Sequence, residues 1–354
     1  MKPFRHLPIL VALVATCGGA GAQELRAGIV APLSGASAIL GRQVEAGARH
    51  AAETAGIAVE AVDDACTAEG GAAAAKKLAE AKVRVAVGFL CTEAIEAALP
   101  ILKEAKIAVI TPGVRTDSLT DRRQKTGWPV FRLAPRADAE RAAVSALLPS
   151  LWRTELFAIV DDGTIYGREL AESFRLAAEQ AGLKPVFVDT FRPQLDNQIG
   201  LVGRLRKAGA THVFVGGDRD DIAIIGRDAA GLGVPLTIAG GESLRAAGDI
   251  PLAAGTLMIG LPEWAEGADA ALLAALAQKK IVAEGYVLPA HAAMEVAAAA
   301  LKEADDGSVA DALSAGTFKT ALGEIAFDDK GDLARSQYRL FRFDGTRFVA
   351  ADGE

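Results

Sequence analysis

Four side chains stand where apolar β-type runs give way to helices, and together they have the chemistry to hold a small zwitterion. Thr92 follows the run 83–89 and opens a helix. Its hydroxyl and the free N–H groups of the first helical turn form an anion site, or else a plain N-cap. Arg115 closes the segment Thr111-Pro112-Gly113-Val114-Arg115, where a guanidinium fork suits a carboxylate; the alternative is a solvated surface arginine. Asp218 and Glu242 occupy later strand-end loops and offer acceptors for an ammonium group. Acids on exposed loops are common, so neither argues alone. Set opposite Thr92 and Arg115 across one cleft, they suit a ligand carrying both charges.

Catalytic arrangements are not evident. Beyond residue 22 the histidines are His50, His212 and His291, none spaced with cysteines or carboxylates as metal ligands are. His291 and Glu295 form an i, i+4 pair, which reads as a helix-surface contact. No strand leads into G-x-G-x-x-G, a P-loop or a G-x-S-x-G elbow. Hence no catalytic residue, metal or cofactor is assigned, and the enzyme reading would need observed turnover of a bound ligand to revive it.

The elements that must position these residues follow one rhythm. Short apolar runs at 25–31, 57–62, 83–89 and 107–111 alternate with Ala-rich stretches of helical period at 41–55, 67–81 and 92–104. Near-continuous apolar strands belong to parallel sheets covered on both faces. After a run at 130–133, Pro135 ends the series and a helix at 137–149 starts a second. That one holds strands at 156–160, 185–190, 212–215, 236–239 and 256–261, with helices at 166–182 and 220–230. Two Ala-rich helices at 268–277 and 290–303 and a hairpin-like tail complete the chain. The fold class is therefore α/β, two Rossmann-like lobes with parallel sheets and a late return, hinged between. Such sheets bind ligands beyond the carboxyl ends of their strands.

Residues 1–22 carry Lys2 and Arg5, an apolar run at 7–16 and Ala20-Gly21-Ala22, the pattern of a secretory signal cleaved after Ala22. The run Val14-Ala15-Thr16-Cys17 loosely resembles a lipoprotein site, but Thr16 is bulky for the position before the cysteine. Cleavage after Ala22 implies a periplasmic protein. It leaves Cys66 and Cys91, read most simply as one disulfide and otherwise as two buried thiols. A loop of about 25 residues closed this way constrains the unfolded chain by roughly 3 kcal/mol. Net charge is −7 with both signs mixed along the chain, which excludes the basic footprint of a nucleic-acid binder. The partners are small molecules or proteins.

Over almost the whole chain beyond the leader, the sequence resembles the leucine/isoleucine/valine-binding family of periplasmic proteins. The likeness is carried by Gly28-Ile29-Val30-Ala31-Pro32-Leu33-Ser34-Gly35, Asp63-Asp64-Ala65-Cys66, Val87-Gly88-Phe89-Leu90-Cys91, Ile110-Thr111-Pro112, Tyr166-Gly167 and Phe327-Asp328-Asp329-Lys330-Gly331-Asp332. The resemblance implies a type I periplasmic-binding fold and a Cys66 to Cys91 disulfide. It also implies three hinge crossings, near 133–135, 260–262 and 328–332. The lobes then divide as 23–134, 135–261, a return at 262–330 and a tail at 331–354. By position, Thr92 and Gly113 match residues holding a ligand α-carboxylate, Glu242 the acid receiving the α-ammonium, and Tyr166 an aromatic at the cleft.

Three positions depart from the family. Leu40 and Asp218 stand where members binding branched-chain amino acids carry aromatics, and Arg115 replaces a small hydroxyl residue. Desolvating unpartnered charge is costly, so an aliphatic pocket gains nothing from Arg115 or Asp218. The expected ligand is an amino acid or relative with added polar or acidic groups. It docks on the first lobe at Thr92, Gly113 and Arg115, and hinge closure brings Tyr166, Asp218 and Glu242 over it. The resemblance implies membrane permease subunits of an ABC transporter as partners and a monomeric binder. The alternative is a ligand sensor of the same fold feeding a signalling partner.

Overall fold

A computed structural model describes residues 25–351, so the leader reading and the lipidation question at Cys17 fall outside the described residues. The first sheet is built from β1 (Arg26–Ala31), α1 (Ala38–Ala55), β2 (Ala58–Asp63), α2 (Ala68–Glu80), β3 (Val85–Gly88), α3 (Thr92–Glu104) and β4 (Ala108–Thr111). Two single-turn helices, α4 (Ser118–Asp121) and α5 (Arg123–Thr126), lead to β5 (Val130–Arg132). The strands pair in parallel in the order β2-β1-β3-β4-β5. β3 and β4 are buried along their whole length, which is why they read as unbroken apolar runs.

The second sheet repeats this order. It comprises α6 (Ala139–Leu151), β6 (Phe157–Asp161), α7 (Ile165–Gln180), β7 (Phe187–Thr190), α8 (Ile199–Ala208), β8 (His212–Gly216), α9 (Arg219–Gly231), β9 (Thr237–Gly240) and β10 (Leu257–Gly260). The parallel order is β7-β6-β8-β9-β10, and two late strands extend it antiparallel beyond β10. In both sheets the strand order reverses between the first and third strands, β1/β3 and β6/β8, so each presents a crevice at its carboxyl edge.

After β10 the chain returns to the first lobe through α10 (Trp264–Gly267), α11 (Ala270–Gln278), α12 (Val287–Ala304), α13 (Val309–Ala315) and the hairpin of β11 (Thr317–Thr320) and β12 (Gly323–Ala326). Helix α12 is apolar almost all round and is correspondingly buried, packed with α1 and the first sheet in one core. The two helices touch closely because a Cβ on Gly47 would lie 2.0 Å from the Val287 carbonyl oxygen. The chain then crosses back to lay β13 (Arg339–Phe343) and β14 (Phe348–Ala350) on the second sheet. The expected hairpin-like tail is thus two hairpins, one in each lobe. Helices α8 and α13 were not anticipated, since neither is long or strongly periodic.

One buried ion cluster ties the crossing strands together. Arg132, wholly buried, donates to Asp332 through Nε (2.8 Å) and to the Thr116 carbonyl (2.6 Å). Arg136 reaches the other Asp332 oxygen (2.9 Å), Asp121 in the first lobe (3.2 Å) and Asp138 at the head of α6 (2.9 Å). Removing one partner of such a pair leaves a buried charge uncompensated, at a cost of roughly 3–5 kcal/mol.

Candidate functional site

The first lobe's strand-end loops are fixed by backbone and sulfur. Gly88 has φ +134°, and a Cβ there would lie 1.8 Å from the Val30 carbonyl oxygen, so only glycine fits. Asp63 Oδ1 accepts the amides of Leu33 (2.8 Å) and Ala65 (2.7 Å), joining the loops after β1 and β2. Burial pushes this carboxyl up, but hydrogen bonds from Ser34, Ala65 and Leu33 hold it below its ordinary value. Ala65 and Cys66 both have positive φ, and the Cys66–Cys91 disulfide, with Cα atoms 5.3 Å apart, clamps this strained turn beside α3.

Thr92 is the first residue of α3, and its hydroxyl pairs with that of Thr116 at 2.7 Å. The buried Thr111 hydroxyl donates to the Phe89 carbonyl (3.0 Å) and accepts the amide of Val114 (3.1 Å), shaping the turn that carries Gly113 and Arg115. That turn brings Arg115 across to the other lobe. Its Nη2 donates to the Tyr338 hydroxyl (2.7 Å), which donates to Glu242 Oε2 (2.9 Å). A single tyrosine therefore bridges the cation of one lobe and the acid of the other.

On the second lobe, a Cβ on Gly216 would lie 2.1 Å from the Gly167 carbonyl oxygen, and this close approach seats α7 on the end of β8. Tyr166, in the first turn of α7, donates to Glu140 Oε1 (2.8 Å), which also accepts the Glu242 amide (2.6 Å). Burial raises the Glu140 carboxyl above its ordinary value; the neighbouring Glu242 charge adds to this, while its two donors and Arg115 oppose it. Burial also raises Tyr166, reinforced by the Glu140 charge, and raises Tyr338, reinforced by the Glu242 charge. Both phenols therefore remain protonated donors.

Of the residues singled out from sequence, Thr92, Gly113 and Arg115 lie on adjoining loops of one lobe, while Tyr166 and Glu242 meet through Glu140 on the other. Asp218 does not join this cluster. It is exposed at the head of α9, in a groove shared with Ser243, Arg219 and Asp220. Leu40 is 42% exposed, on the first turns of α1. Sequence reasoning missed Glu140, Tyr338, Trp264 and Tyr286. Glu140 reads as an ordinary first-turn acid beside Arg141, and the other three lie outside the strand-end loops. Among the described residues no group of three or more His, Cys, Asp or Glu side chains is arranged to hold a metal.

A family model described as periplasmic binding protein matches residues 24–350. The chain belongs to the periplasmic binding protein family. Within it, the chain is 30% identical to a Brucella melitensis "Leu/Ile/Val-binding protein homolog 3", covering 97% of this chain and 98% of that one. It is 28% identical to the Pseudomonas aeruginosa "Leucine-, isoleucine-, valine-, threonine-, and alanine-binding protein", covering 98% of each. In fold it is similar to a putative branched-chain amino acid ABC transporter protein from Rhodospirillum rubrum, with TM-score 0.75, 17% identity and coverage of 92% of this chain and 99% of that one. The architecture is the two-lobed type I periplasmic-binding fold, with the disulfide at Cys66 and Cys91.

Proposed function

We propose that the chain is the solute-binding component of an ABC uptake transporter, capturing an amino acid or amino-acid-like ligand between its lobes in the periplasm. The observation that carries this reading is the Arg115–Tyr338–Glu242 line, which sets a cation and an acid on opposite walls of one cleft. The full-length likeness to amino-acid-binding relatives supports it. Residues 23–134 and 262–330 form one lobe, and 135–261 with the tail form the other. The ligand carboxylate meets Thr92, the Gly113 amide and Arg115; its ammonium meets Glu242, with Tyr166 alongside.

Function then follows from linkage. The open and closed arrangements differ in free energy by little, and a ligand contacting both walls favours the closed one by its differential affinity. Permease subunits read the closed, monomeric protein, and ATP is hydrolysed by separate subunits, so this chain transforms nothing. Among the described residues no helix is long and apolar enough to cross a membrane, and the leader at residues 1–22 supplies export.

A thermal-shift screen of amino acids, dicarboxylates, amides and aromatic acids, followed by calorimetry, tests the reading. A true ligand at 100 times its Kd raises stability by about 2.7 kcal/mol. Glu242→Gln and Arg115→Ala are each expected to weaken binding at least about tenfold, through loss of a charge-assisted contact. Tight leucine binding unaffected by Arg115→Ala would sink the polar part of the proposal.

A further inference from the structure

Beside the charged line, on the side of the cleft nearest the crossing strands, lies a cavity of about 210 Å³. Its wall is apolar and partly aromatic: Pro112 and Tyr286 from the first lobe, Leu261 and Trp264 at the second crossing, and Leu322 from the β11–β12 turn. Arg115 stands among these lining residues. A wholly apolar engineered cavity of roughly 150 Å³ accommodates one benzene molecule, so this volume matches a ring with a substituent. The cavity is not purely apolar, however. The Tyr286 hydroxyl and the Gln337 amide, both half-buried on its wall, have no side-chain hydrogen-bond partner among the described residues. Arg115 is exposed at the cavity mouth; it has no carboxylate within ion-pair distance, and the one hydrogen bond of its guanidinium is to the neutral Tyr338 hydroxyl.

The wall positions that departed from the family lead away from this place. Leu40 is 42% exposed and does not line the cavity, and Asp218 lines a separate groove, so neither forms its wall. The largely apolar, half-open volume lies beside the crossing strands instead, with the Arg115 guanidinium at its mouth. We propose that this cavity is the side-chain subsite of the cleft, and that the ligand class is a carboxylate bearing a ring-sized apolar group, its carboxylate on Arg115 and its ring against Trp264 and Tyr286. This rests on the reading of the cleft as a ligand site. Aromatic amino acids and simple aromatic carboxylates share the chemistry; the former also engage Glu242 through their ammonium.

Calorimetry on the full chain beyond the leader, titrated with phenylalanine, benzoate and leucine, tests it. At least one ring compound is expected to bind about tenfold or more tightly than leucine, the scale on which pocket fit discriminates. Phenylalanine binding that Glu242→Gln weakens identifies the amino-acid source; benzoate binding that Glu242→Gln spares identifies the simple carboxylate. Leu322→Trp, which fills the cavity, is expected to abolish the ring preference, and Arg115→Gln to weaken ring compounds about tenfold. If either variant fails to fold, the wild-type comparison still decides. Leucine binding equal to or tighter than both ring compounds overturns the subsite and leaves the amino-acid reading standing. Binding of none of the three, nor of any member of the wider screen, overturns both.

Discussion

The two lobes share a strand order but stabilise the carboxyl edges of their sheets by different means. In the first, the edge is held by backbone: a glycine with no room for a Cβ, Asp63 gathering amides, and a disulfide clamping two residues of positive φ. In the second it is held by side chains, with Glu140 accepting from Tyr166 and from the Glu242 amide. The cores differ likewise. The first lobe packs small aliphatic side chains, largely Ala and Val, against α1 and α12 on one face of its sheet and α2 and α3 on the other. The second centres on Trp152, Phe157, Phe174 and Phe214. A wall fixed by covalent and backbone geometry is a platform. A wall fixed by ionisable side chains is adjustable, and its contacts depend on pH and on what occupies the cleft.

Three experiments probe that contrast. Trp152→Ala is expected to cost about 3–5 kcal/mol, because it leaves a void against Phe157, Phe174 and His212. Urea unfolding followed by circular dichroism should show the second lobe melting first; a single unshifted transition would contradict the assignment of that core. Replacing Cys66 and Cys91 together by Ala is expected to cost roughly 3 kcal/mol and to shift only the transition of the first lobe. Equal movement of both lobes would mean that the clamp is not local.

The smallest effect is in the pH dependence, where two variants should respond in opposite senses. Burial, the nearby His291 and Lys279 hold His50 below its ordinary value, with Glu53 opposing. Its contribution to stability is present above pH 6.5 and is lost as the pH falls through the folded value. Glu140 is raised, so its contribution is present below pH 4.5 and is lost as the pH rises through the folded value. Stability curves should therefore gain on the acid side in His50→Gln and on the neutral side in Glu140→Gln. Asp64, raised by burial in the first lobe, acts in the same sense as Glu140, so each variant is compared with the wild type. Identical changes in both variants would break the contrast.

The sheets were legible because buried parallel strands leave unbroken apolar runs, as at β3 and β4. Helix α1 starts earlier than its periodicity suggested: Ala38, Ile39 and Leu40 are helical although Ile39 is 65% exposed. Within the site, what could be read were residues directly following strands. Glu140 looked like an ordinary acid in the first turn of a helix, and only tertiary packing buries it. Tyr338 comes to Arg115 from 223 positions away, a distance no local pattern encodes. Trp264 and Tyr286 face the cleft because the return segment folds back on the first lobe.

That return has a consequence for how the protein is made. The core of the first lobe includes Ala290 to Leu301 of α12, and the second sheet is unfinished until β14 at Phe348–Ala350 is laid down. Domains encoded by one continuous stretch can fold in turn as they emerge from the ribosome. Here each lobe needs a segment that follows the other in the chain, α12 for the first and β13–β14 for the second, so the two cores complete together rather than in turn.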